Sequence, residues 1–180
     1  MAGLPLQPLS VAEAQSLAFM REEEQLAHDV YVYSARLWPA QPIFANIADS
    51  EATHTAAVKS LLDRYLQPDP LTGLPSGSFS TAESQALYDE LVALGSRSLV
   101  DALKVGLQIE ELDIRDIEVQ KLSIDNADIL LVYDRLLRGS RNHLRAYMRA
   151  LLQQGGNYMP QYISQAQFDA ILAMPTETGP

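Results

Sequence analysis

Four long stretches of this chain carry apolar residues at helical spacing, and the lengths of the links between them decide how the helices can be arranged. The first runs from about Ser10 to Trp38, with Leu17, Met20, Glu24, Ala27, Tyr31 and Ala35 three and four residues apart. Ser10 followed by Glu13 is a capping-box signature at its start, and Pro39 and Pro42 are read as closing it. The second covers about Ile43 to Leu66, with Ile47, Ser50, Glu51, His54, Val58, Leu61, Leu62 and Tyr65 on one stripe, before Pro68 and Pro70. The third, about Ser96 to Leu122, aligns Leu99, Leu103, Gly106, Ile109, Glu110, Asp113 and Ile117. The fourth starts at an Asp125-Asn126 cap and stops at Gln154, where Gly155-Gly156 follows. Its stripe is Ile129, Tyr133, Leu136, Ser140, His143, Tyr147 and Leu151. No alternating strand pattern competes.

Short links join the first stretch to the second and the third to the fourth, so each pair is expected to form an antiparallel hairpin. Between the second and third lie about 29 residues. They begin with the loop "QPDPLTGLPSGSFST" and continue as a short helix over about Ala82 to Ala93, ended by Gly95. Helices of this length reach roughly 36–45 Å at 1.5 Å per residue, and the long link can travel back along them. The expected fold is therefore all-α: a ferritin-like four-helix bundle with one long crossover, carrying a short helix, between its second and third long helices. Residues 1–180 are read as one domain, with a core over about 10–156 and a short C-terminal helix over about 164–173.

Composition narrows the function classes. The 180 residues include 47% hydrophobic and 20% charged side chains, an ordinary globular balance. A net charge of −10 argues against nucleic acid and anionic membranes as partners, since both are bound through clustered Lys and Arg. Cysteine is absent, which removes disulfides and thiolate chemistry together. No apolar run reaches the roughly 18–20 residues of a membrane span, and "MAGLPLQPLS" lacks the features of a signal peptide. The cytoplasm is the default expectation, with export after signal removal left open, as is association into a homo-oligomer.

Each long stretch places a polar residue where its stripe expects an apolar one, near mid-helix: Glu24, then Glu51 and His54, then Glu110 and Asp113, then His143. Ionised carboxylates in an apolar interior cost several kcal/mol unless paired or bound to a metal. A metal pair would resolve such a convergence, with bridging carboxylates and neutral imidazoles as ligands. Glu51-Ala52-Thr53-His54 by itself fits a surface pair, a buried hydrogen bond or half a metal site. Glu24 lies in the charge run "REEEQ", and charge runs are usually solvated faces. Only register separates it from Glu22 and Glu23, as it separates Glu110 from Glu111. His28 falls off the stripe and is read as a surface residue. Tyr31, Tyr133 and Tyr147 are read as core aromatics, any one of which could hydrogen-bond a ligand carboxylate.

"FMREEEQLAHDVY", "PIFANIADSEATHTAAVKSLLDRY", "DALKVGLQIEELDI" and "DNADILLVYDRLLRGSRNHLRAYMRAL" together resemble the ferritin-like DUF2202 family, and the resemblance extends to the "YMPQYISQAQFDAIL" tail. The wider ferritin and rubrerythrin group implies a di-iron carboxylate centre that reacts with dioxygen or peroxide. Glu24, Ala27 and Tyr31 are similar to its first-helix Glu-x-x-Ala-x-x-x-Tyr motif. Glu51 and His54 match its first Glu-x-x-His, and Glu110 would be its third-helix glutamate. The second Glu-x-x-His should end at His143, but Ser140 stands in the glutamate position. Asp113, one turn from Glu110, is the candidate replacement.

The expected metal set is thus Glu24, Glu51, His54, Glu110, Asp113 and His143, holding iron as two ions. Two alternatives stay open. One is a single zinc or manganese ion without redox chemistry, which the Ser140 departure suggests. The other is a metal-free structural bundle whose acids are neutralised by Arg141 or Arg145.

Overall fold

Ser10 and Glu13 do close a capping box. The Ser10 side chain accepts from the Glu13 amide, and Glu13 Oε2 accepts from the Ser10 amide at 2.9 Å. In the computed structural model, which describes residues 3–179, α1 (Val11–Leu37) starts there. Glu13 is 1% exposed because its other oxygen reaches across the molecule, accepting from the amides of Asp125 and Asn126 at 3.3 and 3.0 Å. Those amides open α5 (Ala127–Gln153), whose N-cap residue Asn126 makes no side-chain cap of its own. One carboxylate therefore caps two helices. Glu13→Ala is expected to remove about 1–3 kcal/mol of stability, an order typical of several lost charged hydrogen bonds, visible as a lower denaturation midpoint in urea.

The link after α1 differs from the sequence expectation in one detail. Pro42 does not close the first helix; it occupies the first turn of α2 (Pro42–Arg64). There its missing N–H has no intrahelical acceptor to lose and its fixed φ is already helical. Leu66 follows at φ 53°, in the left-handed region, turning the chain into the 67–81 loop. Two α1 carboxylates pin that loop. Glu22 accepts from the Ser80 amide and from the Thr81 and Ser84 hydroxyls, and Asp29 accepts from the Gly77 amide.

The crossover helix α3 (Ala82–Gly95) leads to α4 (Leu99–Lys121), which is capped by Ser98. At the far end of α5, Gly155 takes φ 71°; its amide bonds Leu152 O and that of Gly156 bonds Leu151 O. This is a Schellman stop, which needs a residue tolerant of positive φ. The last helix, α6 (Gln165–Ala173), buries Phe168 and Ile171.

Helix α1 packs along α2 and α4 along α5; α2–α5 and α1–α4 contacts close the four into a bundle. Helix α3 lies across α1 and α4, and α6 rests on α5. Among the described residues there are six helices and no strand, and no helix is long and apolar enough to cross a membrane. Leu17, Met20, Tyr31, Phe44, Leu61, Leu103, Leu107, Tyr133, Leu144 and Tyr147 form part of a continuous core. Each such side chain contributes roughly 1.5–3 kcal/mol by leaving water.

Two polar contacts, one buried and one half-buried, attach the C-terminal segment. Glu111, fully buried, accepts from the amides of Gln161, Tyr162 and Ile163. Glu177 binds Arg141 and Arg145, which hold its carboxyl down at about 2.

Candidate metal centre

Successive residues of a helix are rotated by about 100°, so "REEEQ" sends its three glutamates to three places. Glu22 turns to the 67–81 loop, Glu23 turns to the side of α4, and Glu24 enters the interior, where it is 0% exposed. None of the three belongs to a solvated face. On α4, Glu111 serves the C-terminal segment, while its neighbour Glu110 faces inward.

Five of the six expected residues meet in two groups. Glu24, Glu51 and His54 form one, and Glu51, Glu110 and His143 the other. Within each group one potential ligand atom per residue lies within 4.8 Å of the others, and Glu51 belongs to both. Its Oε2 is 2.8 Å from His54 Nδ1 and its Oε1 is 2.7 Å from His143 Nδ1. Glu24 Oε2 stands 3.3 Å from His54 Nδ1, and Glu110 Oε2 stands 3.4 Å from His143 Nδ1. The two imidazoles face each other with centroids 5.5 Å apart. Asp113 is buried but belongs to neither group, and Ser140 spends its hydroxyl on Leu136 O within its own helix.

The inward atoms are poorly served by protein partners. Both Glu24 oxygens, Glu51 Oε1, Glu110 Oε2 and His143 Nδ1 are buried without an aligned hydrogen bond, even where a neighbour is close. The outward atoms are well held. Tyr31 Oη donates to Glu110 Oε1 at 2.6 Å, and His143 Nε2 meets Ser50 Oγ at 2.9 Å. Such outer partners fix ligand orientation while leaving the inner atoms free.

His54 sits flush against Gly139: a Cβ there would lie 2.4 Å from the ring Cε1 and 2.5 Å from Nε2. Neither Ser50 nor Gly139 carries a ligand signature of its own in the sequence. Ser50 was visible as a hydroxyl on the stripe beside Glu51, and Gly139 as a glycine inside a strong helical pattern.

Electrostatics follow from this crowding. Burial pushes Glu24 up to about 7 and raises Glu110, and it raises Asp113 further with the help of Glu24 and Glu110. Burial opposes the charged forms of the histidines, yet Glu51 and Glu24 lift His54 well above its ordinary value. Glu110 and Glu51 likewise lift His143 to about 10. Glu51 alone is lowered against its burial, because both imidazoles face it.

No lysine or arginine among the described residues forms an ion pair with Glu24, Glu51, Glu110 or Asp113. Arg141 and Arg145 go to Glu177 instead, and Arg145 also donates to Ile171 O. The neutralisation by arginine left open from the sequence is thereby corrected: both guanidinium groups are committed to the C-terminal segment. His28 lies at the margin, paired with Asp29.

Fold and site together define an all-α helical bundle with buried glutamate and histidine groups able to hold a metal ion. The chain matches the family described as "Uncharacterized protein domain (DUF2202)" over residues 13–175, and it belongs to that family. It is 49% identical over 178 residues to the uncharacterized protein MJ0754 of Methanocaldococcus jannaschii, covering 99% of this chain and 96% of that one. The crystal structure of the hypothetical protein MJ0754 superposes with a TM-score of 0.93 over 97% of this chain and 99% of that chain.

Proposed function

We propose that the chain is a single-domain, ferritin-like metal-binding protein whose two Glu/Glu/His groups hold a pair of divalent ions, iron foremost. The observation that carries this reading is the set of inward atoms on Glu24, Glu51, Glu110 and His143 that are buried without aligned protein partners. Leaving several carboxylate oxygens so placed costs far more than a cation between them would. The donor sets are also balanced. Each group offers two carboxylates and one imidazole, so the loss of a glutamate at Ser140 does not strip one position relative to the other.

Carboxylate and imidazole donors of this kind suit iron, and manganese or zinc as competitors. Iron so held supplies electron exchange with dioxygen or peroxide. The protein's own residues do the positioning. Glu51 joins the two positions, Tyr31 holds the outer oxygen of Glu110, and Ser50 holds the outer nitrogen of His143.

Anaerobic titration of the metal-free chain with ferrous ion is expected to saturate at two ions per chain. Glu51→Ala, which takes a ligand from both groups, should abolish stoichiometric uptake. One ion per chain with no oxygen consumption would favour a mononuclear zinc or manganese protein. Absence of stoichiometric binding, unaffected by Glu51→Ala, would sink the metal reading.

A further inference from the structure

On their inner sides the two Glu/Glu/His groups are near copies. Glu51 stands 2.8 Å from His54 Nδ1 in one and 2.7 Å from His143 Nδ1 in the other. The second carboxylate is a little farther from that nitrogen, Glu24 at 3.3 Å and Glu110 at 3.4 Å. Any difference between the groups must come from what surrounds these donors.

The outer sides are unlike. In the Glu51/Glu110/His143 group both unshared donors are anchored. Tyr31 Oη donates to Glu110 Oε1 at 2.6 Å, and Ser50 Oγ meets His143 Nε2 at 2.9 Å across the α2–α5 contact. In the Glu24/Glu51/His54 group neither is anchored. Both Glu24 oxygens are buried without an aligned hydrogen bond. His54 Nε2 lies against Gly139, and among the described residues no hydrogen bond reaches it; the ring bonds through Nδ1 alone.

The inner hydrogen bonds differ in the same direction. His54 Nδ1 and Glu51 Oε2 are joined by an aligned hydrogen bond, which an ion in that group must displace. Glu51 Oε1 and His143 Nδ1 are as close but misaligned, and Glu110 Oε2 is unpartnered, so all three are open to an ion. An imidazole that ligates through Nδ1 keeps its proton on Nε2. Ser50 Oγ is placed to accept that proton's hydrogen bond at His143, and nothing accepts it at His54.

We propose that the two positions are inequivalent: Glu51, Glu110 and His143 hold the tighter ion, Glu24, Glu51 and His54 hold a weaker one that comes and goes with the free metal concentration, and Ser50 is the positioning residue that sets this order. This rests on the metal-binding reading above and ranks its two sites. Outer hydrogen bonds fix the tautomer and orientation of a ligating imidazole, and losing one typically costs roughly 10–100-fold in metal affinity.

The test is equilibrium titration of the metal-free full-length chain with cobalt(II), read by calorimetry and by the visible absorbance of the bound ion. The wild type should bind in two steps about 10–100-fold apart. Glu24→Gln, near-isosteric and confined to one group, should delete the weaker step and leave the tighter one intact. Gly139→Ala, which displaces His54, should do the same and serves if Glu24→Gln folds poorly. Ser50→Ala should weaken the tighter step about tenfold or more and spare the weaker one, and Ser50→Thr, which keeps the hydroxyl, should restore it. Two equal steps, a single ion per wild-type chain, or loss of the tighter step in Glu24→Gln would overturn the order. A Ser50→Ala variant that changes neither step, or both alike, would overturn the role of Ser50. Failure of the wild type to take up cobalt at all would remove the metal-binding reading itself, a distinct result, and the order with it.

Discussion

Metal ions are expected to raise the melting temperature of this protein by about 10 °C at pH 8 and by far less at pH 5.5, while the metal-free chain itself melts lower at pH 8 than at pH 5.5. The opposite slopes come from the same side chains. In the metal-free fold Glu24 is raised from 4.5 to about 7, so between those values the folded state binds a proton that the unfolded chain has lost. Stability therefore falls as pH rises through that window. His143, raised from 6.5 to about 10, contributes stability that is complete below pH 6.5 and is lost as pH climbs toward 10. His54 acts in the same direction. Glu51, lowered, contributes above about pH 4.5 and opposes this trend only at more acid pH.

Metal ligation requires deprotonated carboxylates and neutral imidazoles, so the affinity rises as those protons leave. At a free metal concentration about a thousandfold above Kd the added stability is about 4 kcal/mol, and a chain of this size gains about 2–4 °C per kcal/mol. Differential scanning calorimetry with and without manganese at the two pH values reads the effect. An equal metal-induced shift at both, or a metal-free melting temperature that rises toward pH 8, would contradict the protonation pattern of the centre.

The second large effect separates two glycines that look alike in sequence. Gly139→Ala would place its Cβ 2.4 Å from the His54 ring, and Gly106→Ala would place its Cβ 2.5 Å from the Tyr147 ring. Both contacts are far inside van der Waals range, so each ring must move. The expected loss is about 1–3 kcal/mol of stability apiece, partly offset by alanine's better helix propensity of about 1 kcal/mol. Their consequences for metal should differ. Tyr147 lies beside Tyr31 with ring centroids 5.3 Å apart and is not one of the inward donors, so Gly106→Ala is expected to keep two ions per chain. His54 is a donor in the first group, so Gly139→Ala should fall to about one ion per chain. Urea denaturation together with ferrous titration distinguishes the two. Equal loss of metal in both variants would mean that binding follows general packing rather than the placement of His54.

Much of the helical layout was legible from particular residues. The Ser10–Glu13 box, the Gly155-Gly156 stop and the register of α5 all act through local backbone geometry, which nearest neighbours in sequence control. Pro42 misled because proline ends one helix and begins another by the same fixed φ, and local sequence alone does not say which. Register prefers Glu24 to Glu22 and Glu23, and Glu110 to Glu111, and Glu24 and Glu110 are the ones that lie beside Glu51 and the two histidines. It did not reveal that Glu22 and Glu111 are buried too. Their burial depends on loop amides some 50–60 residues away, and no helical period carries that information.

Asp113 marks the limit of the same reasoning. It shares a stripe with Glu110, and a stripe is wide enough to face two different neighbours. The sequence therefore determined which residues form helices, which faces turn inward and that acids and imidazoles occupy those faces, because each depends on a period of about 3.6 residues. Only the tertiary structure decided that Glu51 stands between both histidines, that Arg141 and Arg145 are spent on Glu177, and that Asp113 faces a cavity under α3. Those outcomes turn on offsets of a few ångströms between helices, which are set by how the side chains of four separate segments interlock.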